Sequence, residues 1–236
     1  MRQTGTKAGE RMLRRARWWL ADYVYAGYWQ VRGFFDRTAA SDFTVGSRAP
    51  ILILPGVYES WRFMRPLISV LHDRGHPVHV VPALGHHRRP LAESAATAAT
   101  VLEESNLDQV IIVAHSKGGL SGKAVMLSRS GARVRGMVAI ATPFAGSAYA
   151  RLLLPSTLRA FSPSHPSIVE MAGQRDVNAR IVSVYPAFDP HIPEGSELPG
   201  AKNVRLATGG HFRVLADARV IAEVVTMAEG DALSSS

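Results

Sequence analysis

Val110-Ile111-Ile112-Val113-Ala114-His115-Ser116-Lys117-Gly118-Gly119 joins a short, wholly apolar run to a glycine-rich turn, and the residues from Gly119 to Ser130 carry a helical pattern. An uninterrupted apolar run of this length, bounded by a turn, predicts a strand buried on both faces. A serine between such a strand and a helix sits where a strained turn can hold its side chain out at the end of a sheet. That turn needs small residues two before and two after the serine. Ala114 and Gly118 meet the requirement, with alanine in the place more usually held by glycine.

Similar apolar runs recur on both sides of this one, at Ile51–Leu54, Val78–Val81, Val134–Ala141, Ile181–Tyr185 and Val204–Ala207. Between and after them lie helical patterns at Trp61–His72, Leu91–Glu104, Gly119–Ser130 and Ile221–Met227. Strands apolar on both faces and separated by helices predict a mostly parallel central sheet covered on both sides, a three-layer α/β domain. The longest interval without a strand, Ser147–Asn178, contains Pro155, Pro163 and Pro166. It predicts a helix and irregular loop over the C-terminal edge of the sheet, the side where ligands bind in open α/β folds, and is short for a separate cap.

The chain has 236 residues, 47% hydrophobic and 19% charged, and no cysteine. That composition fits one α/β domain with a sizeable core and excludes collagen-like, disordered and disulfide-framework classes. Without cysteine there is no thiolate nucleophile, disulfide, iron–sulfur cluster or cysteine zinc site, so covalent chemistry falls to Ser, Thr, Lys or a carboxylate. Two further turns follow strands and carry titratable side chains: Asp189-Pro190-His191-Ile192-Pro193 after the Ile181 run, and Gly209-Gly210-His211-Phe212 after the Val204 run. A serine hydroxyl is a poor nucleophile at neutral pH, needing a base to take its proton and a carboxylate to orient that base.

On the Ala-His-Ser-x-Gly turn and the order Ser116, Asp189, His211, the stretch from Pro50 to Met227 resembles the α/β-hydrolases, in particular small bacterial lipases and esterases. The resemblance implies a three-layer α/β-hydrolase fold with minimal or no cap, Ser116 as nucleophile, Asp189 as orienting acid and His211 as base, with no cofactor. Glu194, Glu197 and Asp176 are rival carboxylates and His191 is the rival base. By the geometry of the turn, the Lys117 backbone N–H is one oxyanion donor. Val57, in Pro55-Gly56-Val57-Tyr58-Glu59, matches the family's second donor, with Pro55 where relatives have histidine. Tyr58 is a candidate substrate contact or a packing residue. Thr142-Pro143-Phe144-Ala145-Gly146-Ser147 resembles the Thr-Pro-His-x-Gly-Ser turn of many lipases, making Phe144 either an acyl-pocket wall or a buried anchor. A thioesterase or amidase with the same three residues, or a non-catalytic membrane-associated interaction protein, are the alternatives.

His115 is expected to pack beside the serine turn. His72, His76 and His79 straddle a helix end, a turn and a strand, and no His-Glu-x-x-His string occurs, so no metal is expected. The loop Gly85-His86-His87-Arg88-Arg89 is read as a solvated charge run near the mouth, with attraction of an acidic headgroup as the alternative.

The net charge of +8 (pI near 10.3) is uneven. Residues 1–37 hold eight basic side chains (Arg2, Lys7, Arg11, Arg14, Arg15, Arg17, Arg32, Arg37) against three acidic ones (Glu10, Asp22, Asp36), five of the eight net charges. Glu10–Phe35 lacks proline and is rich in Trp and Tyr, predicting a basic aromatic helix. Asp22, Gln30 and Arg32 break it well before the roughly 18 apolar residues that a membrane span requires, and a secretory or twin-arginine signal would be more aliphatic. Two readings remain: the aromatic face docks on the α/β domain with the arginines as a solvated face, or the helix lies on an anionic bilayer. The expected organisation is a helical extension over 1–47, the α/β domain over 48–230 and a tail over 231–236. The expected partners are an ester or lipid substrate and an anionic membrane surface, with no nucleic acid because no recognition module accompanies the charge. The expected location is cytoplasmic, peripheral at the membrane.

Overall fold

The computed structural model describes residues 3–230, with side chains from residue 9 onward, so the expected tail at 231–236 lies outside the described residues. Six strands form one parallel sheet: β1 (Ile51–Leu54), β2 (Val78–Val80), β3 (Val110–His115), β4 (Val134–Ile140), β5 (Ile181–Phe188) and β6 (Lys202–Gly209), ordered β2-β1-β3-β4-β5-β6. Every apolar run read from the sequence is one of these strands. β6 begins earlier than its run because it is an edge strand, where Val204 and Leu206 are buried while Lys202 and Arg205 face outward.

Alternation along the strands divides the core into two layers. Ile51 and Ile53 of β1 join Ile111 and Val113 of β3 on one face, under α2 (Arg65–Asp73) and α7 (Ala218–Glu229). Leu52 and Leu54 join Ile112 and Ala114 on the other, under α3 (Leu91–Glu104), α4 (Lys117–Leu127) and α6 (Pro166–Gly173). The helix expected over Trp61–His72 opens as a 3-10 turn, Trp61–Met64, and becomes α-helical only at Arg65. Pro66 explains this, since proline lacks the N–H that an interior helical position needs and fits only the first turn. α4 starts two residues earlier than expected because the strand passes into it with one intervening residue, Ser116. The Ser147–Asn178 excursion holds a 3-10 turn at Ala148–Leu152, the short α5 (Ser156–Arg159) and α6.

The N-terminal helix α1 (Gln3–Phe35) crosses the end of β6 and the turns at 61–64 and 213–216. Its shielded residues, Trp18, Ala21, Asp22, Tyr25, Ala26, Trp29 and Gly33, recur at helical spacing and form the docked ridge. Trp18 stacks on Phe188, and Tyr25 meets Phe63 edge-on. The helix is thus packed on the domain, and Arg11, Arg14, Arg15, Arg17 and Arg32 are exposed, as the docked reading expects. Arg14 lies over the Trp18 ring, Arg15 over Phe188 and Arg32 over Trp29, drawing these cations toward the flanks of the docked ridge. Exposed with them are the large apolar side chains Leu13, Leu20, Val24, Val31 and Phe34, and Arg17 shares the face of Leu13 and Leu20. Among the described residues no helix is long and apolar enough to cross a membrane.

Candidate active site

Strand order reverses between β1 and β3, so the loops leaving their C-terminal ends diverge and open a crevice. Ser116 stands at that point, between the last residue of β3 and the first of α4, with φ 49° and ψ −117°. A non-glycine residue there is strained, and the strain is held by packing: the Ser116 N–H donates to Ile140 O at 2.8 Å. A Cβ on Gly118 would run into the Leu54 carbonyl, and one on Gly119 into the Thr142 side chain. The small residues of this turn are therefore required by the contact between α4, β1 and the turn after β4.

Asp189 follows β5 and His211 follows β6, and the register of those strands brings them together. His211 Nδ1 donates to Asp189 Oδ2 at 2.8 Å, while Asp189 Oδ1 accepts the N–H groups of His191 (2.7 Å) and Ile192 (3.0 Å). Burial by itself would raise the Asp189 carboxyl, but the His211 charge and hydrogen bond, with the His191 N–H, bring it below its ordinary value. Burial by itself would depress the His211 imidazole, but the charge and hydrogen bond of Asp189 outweigh it and the net shift is upward. With Nδ1 engaged, Nε2 is the ring nitrogen free to take a proton. His211 and Ser116 line the same cleft, of about 450 Å³.

The rivals are placed elsewhere or otherwise engaged. Glu197 and Asp176 are exposed, and Glu194 accepts the Ala148 N–H at the surface. His191 is in the cleft wall, where the Tyr23 hydroxyl lies 3.1 Å from its Nε2. Burial and then the neighbouring His211 charge push His191 down to about 4, so it is neutral at physiological pH.

Two buried carboxylates that sequence reasoning did not assign to the site hold the backbone of His211. Asp22 of α1 is fully buried. Its Oδ2 accepts the His211 N–H, and its Oδ1 accepts those of Phe212 and Arg213, each at 2.8 Å. Gly209 and Gly210 permit this approach, since a Cβ on the first would strike the Trp18 ring and one on the second the Asp22 carboxylate. From the other side, His115 Nε2 donates to the His211 carbonyl at 3.0 Å. His115 Nδ1 lies 2.9 Å from the Glu59 carboxylate, which also accepts the Gly56 N–H at 2.7 Å. The peptide groups flanking the His211 side chain are thus fixed at both ends. The sequence signal for Asp22 was its place within an aromatic helix, where a charge is tolerated only if it finds partners or water.

In the turn after β1, the Gly56 N–H is committed to Glu59, that of Tyr58 to His86 O, and that of Glu59 to Gly56 O. The Val57 N–H is left, and Val57 lines the cleft. The Lys117 N–H belongs to the first turn of α4, where backbone donors lack intrahelical partners. The Lys117 side chain turns away and donates to the carbonyls of His87 and Arg89. Burial lowers its ammonium to about 8.

Tyr58 lines the cleft in a left-handed conformation, φ 62°. Phe144 does not line it: at 3% exposure it packs in the core layer with Ile168 and Met171, which is the buried-anchor alternative and not the acyl-pocket wall. Tyr149, Leu153, Leu158 and Phe161, from the excursion after that turn, take its place. The basic loop is likewise divided. His87 is buried, with Nδ1 donating to Pro55 O at 2.7 Å, while Arg88 and Arg89 are exposed and line a second cavity with Lys117 and Leu120. Among the described residues no group of three or more His, Cys, Asp or Glu is arranged to hold a metal ion.

No family model and no curated protein matches the chain. Solved structures do. An extracellular α/β-hydrolase from a Paenibacillus species aligns over 76% of this chain and 98% of its own, at 14% identity and a TM-score of 0.53. The mature form of a Bacillus licheniformis lipase aligns over 77% and 92%, at 14% identity and 0.56. A structure from work on carboxylesterases of Nitrososphaera gargenis aligns over 76% and 89%, at 13% identity and 0.54. Such identities speak to architecture, and with the parallel sheet and the serine turn between β3 and α4 they show that this chain has the α/β-hydrolase fold.

Proposed function

We propose that this chain is a serine hydrolase that cleaves carboxylic esters through an acyl-enzyme on Ser116. The observation that carries the reading is one cleft lined by a serine on a strained strand-to-helix turn and by a histidine whose Nδ1 donates to a buried carboxylate. The hydrolase, lipase and carboxylesterase names of the structural neighbours are consistent with it.

In this reading Ser116 Oγ attacks the ester carbonyl carbon as its proton passes to His211 Nε2. The imidazolium that forms is stabilised by Asp189, which stays ionised. Negative charge on the former carbonyl oxygen is met by the Val57 and Lys117 N–H groups, each such donor being worth about 3 to 4 kcal/mol. His211 then protonates the leaving alcohol. Water, deprotonated by the same nitrogen, attacks the acyl-enzyme and releases the acid. Tyr149, Leu153, Leu158 and Phe161 supply an apolar wall for the acyl portion.

The test is hydrolysis of p-nitrophenyl esters from short to long acyl chains by the wild type and Ser116→Ala, with fluorophosphonate labelling followed by peptide mapping. Turnover and labelling at Ser116, both lost in a folded Ser116→Ala protein, are expected. Equal activity in the variant, or a wild type inert toward every ester and unlabelled, overturns the proposal.

A further inference from the structure

We propose that the outward face of α1 and the Leu152–Leu154 segment form a single docking surface for an anionic lipid bilayer, with the mouth of the Ser116 cleft between them. Docking itself rests on the surface alone; the delivery of membrane-held esters to the cleft rests on the hydrolase reading.

Leu13, Leu20, Val24 and Val31 are spaced seven, four and seven residues apart, so they form one ridge along α1. Leu20, Val24 and Val31 are each more than 60% exposed, and Phe34 beyond them is 84% exposed. The helix cannot roll to hide this ridge, because Asp22 on the opposite side is fastened to three backbone N–H groups. Across the cleft, Leu152 and Leu154 are 81% and 88% exposed. Tyr23 of α1 and Tyr149 and Leu153 of the facing segment are both partly exposed and part of the cleft lining, so the two apolar surfaces meet at its rim. Contiguous exposed apolar patches beyond a few hundred Å² are uncommon on monomers and mark interaction sites.

Charge selects the occupant. Arg17 is exposed on the ridge between Leu13 and Leu20, Arg14 and Arg32 are exposed along its flank, Arg151 is exposed beside Leu152, and residues 1–37 carry most of the chain's positive excess. An apolar face edged by arginine, with Trp and Tyr at its margins, matches acyl chains below and anionic headgroups around it. A second copy laid on the same face would bring arginines against arginines.

The full chain is mixed with vesicles of phosphatidylcholine alone, or of phosphatidylcholine with phosphatidylglycerol, and binding is read by flotation. The variants are Leu20→Glu/Val24→Glu and Leu152→Glu/Leu154→Glu, which alter no residue of the cleft lining. Binding to phosphatidylglycerol vesicles is expected, weakened about tenfold or more without the anionic lipid and in each variant. Size-exclusion elution and turnover of a short water-soluble ester should stay as in the wild type. A wild type that ignores anionic vesicles, or variants that bind undiminished, overturns the proposal. So does a dimer that Leu20→Glu/Val24→Glu converts to monomer without any vesicle binding, which assigns the face to a second copy. Vesicle binding without ester turnover leaves docking standing and refutes the hydrolase reading; turnover without vesicle binding does the reverse.

Discussion

Truncating Asp22 to alanine should cripple hydrolysis of a small soluble ester, although Asp22 lies in the N-terminal helix and touches no reacting atom. Its carboxylate accepts three successive backbone N–H groups, of His211, Phe212 and Arg213, each at 2.8 Å. The His211 N–H is buried and keeps no acceptor once the carboxylate is gone, a cost of about 1–3 kcal/mol, whereas the partly buried Phe212 and Arg213 donors can recruit water. Adding the lost charge-assisted bonds, and discounting for non-additivity, gives a destabilisation of about 3 kcal/mol, a shift of a few degrees to about 10 °C in Tm. The effect on catalysis is geometric: releasing the turn lets the His211 ring drift, and a displacement of about 1 Å can cost about 100-fold in rate. The expected result is kcat down about 100-fold with KM little changed, measured on a short p-nitrophenyl ester below the variant's Tm. Asp22→Asn, which keeps one acceptor oxygen, should fall between. A folded Asp22→Ala protein with kcat within about twofold of wild type would refute the positioning role, since drift of the base is the effect being asked for.

In the proposed mechanism His211 acts as base only when neutral, and its pKa is raised, so kcat/KM should climb with pH through a midpoint above 6.5, and Asp189→Asn should lose about 10,000-fold in kcat. Deleting residues 1–36 should abolish soluble-ester turnover by removing Asp22, and activity retained by a folded deletion variant would count against the role of α1. Gly118→Val should fail to fold, read as loss of the far-UV dichroism of the wild type, because its side chain meets the rigid Leu54 carbonyl; a folded, active Gly118→Val would contradict the close approach of α4 and β1. Glu59→Ala leaves His115 Nδ1 and the Gly56 N–H without their buried acceptor and should lower thermal stability by about 2–4 kcal/mol in a denaturant titration.

The strands and the Ser116 turn were legible because their signals are local. A run such as Val110–Val113 between turn residues has few alternatives, and Gly118 sits two residues from the serine it serves. The placement of Asp189 and His211 was legible for a related reason, each lying within two residues of a strand's end, so chain order and sheet position together put them at one edge. Phe144 was left open between pocket wall and buried anchor because a turn motif fixes the backbone but not which side of it an aromatic ring enters. Glu59 was passed over because, although Gly56 is three residues away, its other partner, His115, becomes a neighbour only when β1 and β3 pair.

The N-terminal helix shows where periodicity stops being informative. Helical spacing identifies which residues share a face, but α1 has two apolar ridges, one through Trp18, Tyr25 and Trp29 and one through Leu13, Leu20, Val24 and Val31. Burial of either would yield a similar hydrophobic gain, so area alone does not choose between them. The choice is made by Asp22, the one acidic or basic side chain among the described residues of the helix to be fully buried. A carboxylate is buried only where its lone pairs are met. On this domain that place is the turn after β6, whose Gly209 and Gly210 leave room for the helix and whose next three N–H groups point at the acid. An aspartate that reads in the sequence as an interruption of an apolar segment is, in the fold, what turns the aromatic ridge inward, and by that act it leaves the aliphatic ridge outside.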